Sequence, residues 1–110
     1  MEAHDVQIVR DGGEVRLTVM ADMTVANALD LKELLLEPLK DARAAVLDLR
    51  QAGEVDTAGV QIVIMLARYM EGRGFRILPG EAVRGAFQVF RMGDFLDQHG
   101  GRDDGGDNDG

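Results

Sequence analysis

Cysteine and tryptophan are absent from this chain, and proline occurs only twice in 110 residues. Without cysteine there can be no disulfide, no thiolate metal site and no cysteine nucleophile, and the absence fits a reducing cytoplasm. Basic residues are scarce as well. Twelve Lys and Arg stand against twenty Asp and Glu, a net charge of −8, which argues against nucleic acid as a ligand, because phosphates demand a basic face. No apolar run reaches the roughly 18 residues that span a bilayer, and the first residues lack the apolar stretch of a signal peptide. The expectation is a soluble, cytoplasmic protein with no membrane insertion. The two histidines, His4 and His99, fall at opposite ends of the chain. No base therefore has an orienting partner, and neither enzymatic activity nor a cofactor is expected. Gly72-Arg73-Gly74 opens no helix in the manner of a dinucleotide loop and carries no phosphate-binding lysine.

What is present suffices for one small domain. Hydrophobic residues make up 45% of the chain, enough for a single core at this length. Val15, Leu17 and Val19 alternate with Arg16 and Thr18, the period of a half-buried strand over Glu14 to Met20. Asp11-Gly12-Gly13 joins it to a weaker strand, Val6 to Arg10, as a hairpin with the first strand at an edge. Val25 to Leu39 repeats apolar residues three and four apart and reads as an amphipathic helix. Thr24 is its expected N-cap, and Pro38 is expected to end or distort its last turn. Ala44 to Leu49 is nearly continuous apolar sequence, suited to a central strand covered on both faces or by neighbours. A long apolar helix follows, closed by Gly72 and Gly74. Then come a strand over Phe75 to Leu78, a helix over Glu81 to Arg91 packed through Val83, Phe87 and Phe90, and a short helical turn over Asp94 to Gln98. This order predicts an α/β domain over residues 1–99, with a mixed four- to five-stranded sheet and about four helices largely on one face. Residues 100–110 are Gly, Asp and Asn with one Arg. They hold nothing to bury and are expected to form a disordered acidic tail without a metal site.

The turn from strand to helix, Glu54-Val55-Asp56-Thr57-Ala58-Gly59-Val60, carries the functional signal. Asp56 and Thr57 are both good helix caps, and a plain cap is the simplest account of them. A helix N-terminus also accommodates an anion, so a hydroxyl there can accept a phosphoryl group, with Ala58 and Gly59 leaving room around it. Beyond the turn, Val60, Val63, Ile64 and Ala67 form one stripe; Ile62, Met65, Leu66 and Tyr69 form another beside it. Together they cover more than half the helix. They are either a helix packed on several sides or a core face beside a partner-binding face that includes Val60, Gln61, Met65 and Tyr69.

Val46-Leu47-Asp48-Leu49, the Asp56-Thr57-Ala58-Gly59 turn and the apolar helix after it resemble the STAS domain family, over roughly residues 5 to 98. The Ala58-Gly59-Val60-Gln61 continuation looks most like its chemotaxis-associated members. That resemblance implies an anti-sigma-factor antagonist in a partner-switching pathway. Thr57 would be the phosphorylated residue, with Asp56, Asp22, Ala58 and Gly59 supporting it. It implies a GHKL-type serine/threonine kinase that doubles as anti-sigma factor, and a phosphatase that reverses the mark. Members often carry Gly-Glu-Leu-Asp before the first helix. Here Val19-Met20-Ala21-Asp22 stands there, and only the acidic last position matches; Asp22 is expected near Thr57. Other members of the family serve as constitutive accessory subunits of ABC-type lipid transporters, and that alternative stays open.

Overall fold

The structure, a computed structural model, describes residues 5–99. The expectations for His4 and for the acidic segment 100–110 concern residues outside that range. β1 (Val6–Asp11) and β2 (Glu14–Val19) form the expected hairpin, antiparallel from Val6↔Val19 to Asp11↔Glu14. Gly12 and Gly13 turn the chain at φ 60° and 92°, where a side chain would be strained. The chain continues through α1 (Ala28–Leu36), β3 (Ala44–Asp48), α2 (Thr57–Tyr69), β4 (Gly74–Leu78), α3 (Gly80–Val89) and α4 (Gly93–Gln98). β3 runs parallel to both β2 and β4, so the sheet is mixed and four-stranded, in the order β1-β2-β3-β4.

Alternation places the helices. Val15, Leu17 and Val19 of β2, Ala45 and Leu47 of β3, and Ile77 of β4 share one side of the sheet. They join one apolar cluster with Leu31 and Leu35 of α1, Val63 and Leu66 of α2, Val83 and Phe87 of α3, and Leu96 of α4. Every helix therefore covers the same face. Each fully buried Leu or Phe contributes about 1.5–3 kcal/mol by leaving water, which makes this cluster the main source of stability.

Several local expectations are corrected. α1 starts at Ala28 rather than Val25, and Thr24 does not cap it. Residues 24–27 form a turn instead, because Asn27 Oδ1 accepts from the Thr24 amide and the Val25 amide is drawn to Asp56. Pro38 acts as expected: the helix tightens into a 3₁₀ turn over Glu37–Leu39. Phe90 lies past the end of α3 and is 44% exposed, so only Val83 and Phe87 of the expected trio pack inward. β3 is central, but helices cover only one of its faces.

On the uncovered face the buried side chain of Asp48 holds two arginines. Its Oδ1 accepts from Arg50 N at 3.1 Å and Arg50 Nε at 2.9 Å; its Oδ2 accepts from Arg50 Nη2 at 2.9 Å and Arg16 Nη2 at 2.8 Å. The Arg50 side chain above all, with its amide and Arg16, holds the carboxyl down at about 2, against the cost of burial. Because the folded value lies below the unfolded one, Asp48 stabilises the fold above the unfolded value. That contribution is lost as pH falls through the folded value.

A carboxyl shifted from 3.8 to about 2 contributes about 2 kcal/mol at neutral pH. Asp48→Asn is expected to be less stable than wild type at pH 7. The two proteins should converge between about pH 4 and pH 2, the window set by the shift. Urea midpoints against pH check this; parallel curves would show that Asp48 does not carry the acid sensitivity.

Candidate functional site

The seven-residue turn after β3 is laced to the loop before α1, residue against residue. The Gly53 amide donates to Ala21 O at 3.1 Å and the Glu54 amide to Asp22 Oδ1 at 2.8 Å. The Met23 amide donates to Glu54 O at 2.7 Å, and the Asp56 amide to Met23 O at 3.2 Å. Met23 and Val55 form a parallel bridge. Asn27 closes the lace from the other side, its Nδ2 donating to Asp22 O at 2.8 Å.

Asp56 is the knot. It is the N-cap of α2, in extended backbone, and its Oδ1 accepts from the Ala58 amide at 2.8 Å and the Gly59 amide at 3.3 Å. Its Oδ2 reaches across to the Val25 amide at 3.1 Å. One carboxylate thus satisfies two orphan donors of α2 and pins the loop before α1. The Val25 amide above all, then those of Gly59 and Ala58, holds its carboxyl below the usual carboxylate range, so it is ionised at neutral pH.

Thr57 follows as the first residue of α2, and its side chain is exposed. Among the described residues its hydroxyl has no hydrogen-bond partner. The free amides expected at this helix end are largely taken, since Asp56 holds those of Ala58 and Gly59. A group added to the Thr57 oxygen would therefore stand in solvent rather than settle into the helix end.

The other site residues divide. Gly59 does not make room for the hydroxyl; it is buried, and an added Cβ would collide with Met23 O. Asp22 is exposed and belongs to the same lace, but its carboxylate holds Glu54 rather than Thr57. Val60 is 3% exposed and packs in the core, because its side chain points under the helix toward the sheet. Ile62 and Leu66 are buried too, so half of the second stripe is core. Ala58 and Met65 are half-buried, while Gln61 and Tyr69 are exposed.

Ala58, Gln61, Ile62 and Met65 of α2 face Ala28, Leu29 and Lys32 of α1 across a groove of about 410 Å³. Leu29 is 65% exposed, and Val25 just ahead of α1 is 77% exposed. These two residues had no place in the expected site. The available signal was the excess of leucine around the first helix, too many for one buried face. The candidate site is therefore an exposed hydroxyl at a capped helix start beside an apolar groove between two helices. Among the described residues no His, Cys, Asp and Glu gather as a metal site, and no helix is long and apolar enough to cross a membrane.

A family model described as "Mlab, STAS domain" matches residues 6–97. The fold is similar to the crystal structure of an anti-sigma factor antagonist from Mycobacterium paratuberculosis. The TM-score is 0.72 at 17% identity, over 83% of this chain and 80% of that one. It is also similar to the anti-sigma factor antagonist SpoIIAA in its unphosphorylated form, with a TM-score of 0.65 at 15% identity, over 81% and 83% of the two chains. At such identities the likeness speaks for the fold. No curated protein matches the chain.

Gly59→Ala is expected to lower stability by about 1–3 kcal/mol, because the added methyl must displace the Met23 backbone. Asp56→Asn keeps one acceptor for the α2 amides but sets an amide group against Val25 N–H. It should lower stability and speed hydrogen exchange at Val25. Unchanged exchange at Val25 would show that the crossing bond is not formed in solution.

Proposed function

The chain belongs to the STAS domain family, and we propose that it is a phosphorylation-controlled protein-binding module with Thr57 as its switch, acting in the manner of an anti-sigma-factor antagonist. One observation carries this reading. The Thr57 hydroxyl is exposed at the first position of α2, beside the groove that Leu29 and Met65 line. Phosphorylation adds roughly −1.5 to −2 charges next to the ionised Asp56. Because that carboxylate already holds the amides of the helix end, the new charge is presented outward at the groove. A partner seated on Leu29, Ala58 and Met65 would lose apolar contact and meet like charge. A change of about 3 kcal/mol shifts such an affinity roughly a hundredfold, with no rearrangement of the fold.

The partners of this module would be a GHKL-type kinase that also acts as anti-sigma factor, and a phosphatase, in the cytoplasm. A chemotaxis-linked pathway is one setting for such a pair. The module itself needs no cofactor and no catalytic group: Asp56 is a scaffold, with both oxygens engaged.

A second reading draws on the description of the matching family model, "Mlab, STAS domain". Here the chain is a constitutive subunit of an ABC-type lipid transporter. The same groove is the contact, and Thr57 packs at the interface unmodified.

Intact mass with site mapping, on protein from its own cell and after incubation with the cognate kinase and ATP, separates the two. Phosphate on Thr57 is the expected result, and Thr57→Ala should make partner binding indifferent to ATP while costing about 1 kcal/mol or less of stability. Phosphate on Thr18 or Thr24 alone, or none under any condition with tight binding to a transporter ATPase, would overturn the switch. Leu29→Glu should weaken partner binding tenfold or more, by loss of a central apolar contact, with folding intact because Leu29 is mostly exposed.

A further inference from the structure

The groove beside Thr57 is apolar except at two points. Of the seven side chains that line it, Lys32 of α1 carries the one charge, and Gln61 is the one other polar group. Lys32 is exposed. The residues three and four away along α1 are Ala28, Leu29, Leu35 and Leu36, so no carboxylate of its own helix can hold it. Lys40, just beyond the same helix, is by contrast paired with Glu37 at 3.1 Å. Among the described residues Lys32 makes no ion pair.

The fold brings this ammonium toward the start of α2. β2, β3 and β4 are parallel, so α1 and α2, which connect them, run in the same direction. The bond from the Val25 amide to Asp56 Oδ2 sets their starting ends side by side. Lys32 lies one turn after Ala28, and Gln61 one turn after Thr57. Side chains on a helix lean toward its N-terminus, over the preceding turn. Lys32 therefore leans back over Leu29, toward Ala58 and the mouth of the groove. The other charges of this turn are negative: Asp56 precedes Thr57, and Asp22 and Glu54 belong to the lace before it. The α2 amides that could draw a phosphate inward are held by Asp56. A phosphate on Thr57 is thus repelled by the lace, and Lys32 is the cation that the groove offers.

We infer that phosphate on Thr57 is received by Lys32 of the same chain, in an ion pair across the mouth of the groove. This pairing rests on the reading of Thr57 as the switch, and it adds how the switch closes the site. A bridge from α2 to α1 stands over Ala58 and Leu29, where the partner's apolar group would enter. Neither helix has to move, since both ends of the bridge are exposed side chains.

Phosphothreonine incorporated at position 57 during synthesis of the full chain makes the test independent of any kinase. The second ionisation of the phosphate, ordinarily near about pH 6, is read by ³¹P NMR. A cation beside it favours the dianion. Lys32→Gln is therefore expected to raise the midpoint by about half a unit, the size of an exposed ion pair. Lys32→Arg should keep the wild-type midpoint, and Lys40→Gln, beyond the far end of α1, should leave it unchanged. In the wild-type chain the Lys32 Cε signal should titrate with the phosphate. Equal midpoints in wild type and Lys32→Gln, an equal shift from Lys40→Gln, or a Lys32 Cε signal indifferent to the phosphate would each overturn the pairing. These results differ from those that test the switch. Absence of phosphate from Thr57 in the cell would overturn the switch and the bridge's role with it, whereas equal midpoints would overturn the bridge and leave the switch.

Discussion

The carboxylate of Asp56 is the interaction on which the rest of the site depends. Its three accepted hydrogen bonds join two segments that are thirty-one residues apart in the chain. A capping bond alone would end at the first turn of α2. The third bond, to Val25, makes the cap a clasp between the two helices that line the groove. It ties the loop before α1 to the start of α2, and it leaves the Thr57 hydroxyl facing solvent without a partner among the described residues. Gly59 is part of the same constraint, since the Met23 carbonyl occupies the space a side chain would need.

Two engaged carboxylates, Asp48 and Asp56, divide the molecule by chemistry. Asp48 draws Arg16 and Arg50 to the bare side of the sheet, where their guanidiniums stay partly exposed. Asp56 accepts the backbone amides at the positive end of α2, and the helix side of the molecule carries the apolar groove beside the exposed Thr57 hydroxyl. The described residues thereby offer two dissimilar surfaces from one core. The arrangement follows from the topology: with every helix on one face, the opposite face of the sheet must meet solvent or something charged.

Much of the local structure was legible along the chain. The alternation of Val15, Leu17 and Val19 marked β2, the paired glycines marked the hairpin, and Pro38 marked the tightening of the first helix. These signals are local, because they depend on period and on the conformational limits of single residues. The failures came where a distant segment intervened. Thr24 has the chemistry of a cap, but Val25's amide is claimed by Asp56 and the helix begins later. Phe90 keeps helical spacing with Val83 and Phe87, but α3 ends before it.

The sequence by itself determined the strand and helix types, the Asp56-Thr57 turn at a helix start and the family to which that turn belongs. Those properties reside in neighbouring residues, and no long-range contact is needed to read them. Tertiary structure alone decided which face of α2 was free. Burial depends on what packs opposite, and periodicity could not tell that Val60, Ile62 and Leu66 face the core while Met65 borders a groove. It alone brought Val25 to Asp56 and Leu29 to the groove that Ala58 lines, because a single carboxylate bridges two segments that the sequence keeps apart. It alone left arginines of two strands and one loop on one uncovered side, since only the sheet register sets Arg16, Val46 and Arg76 abreast.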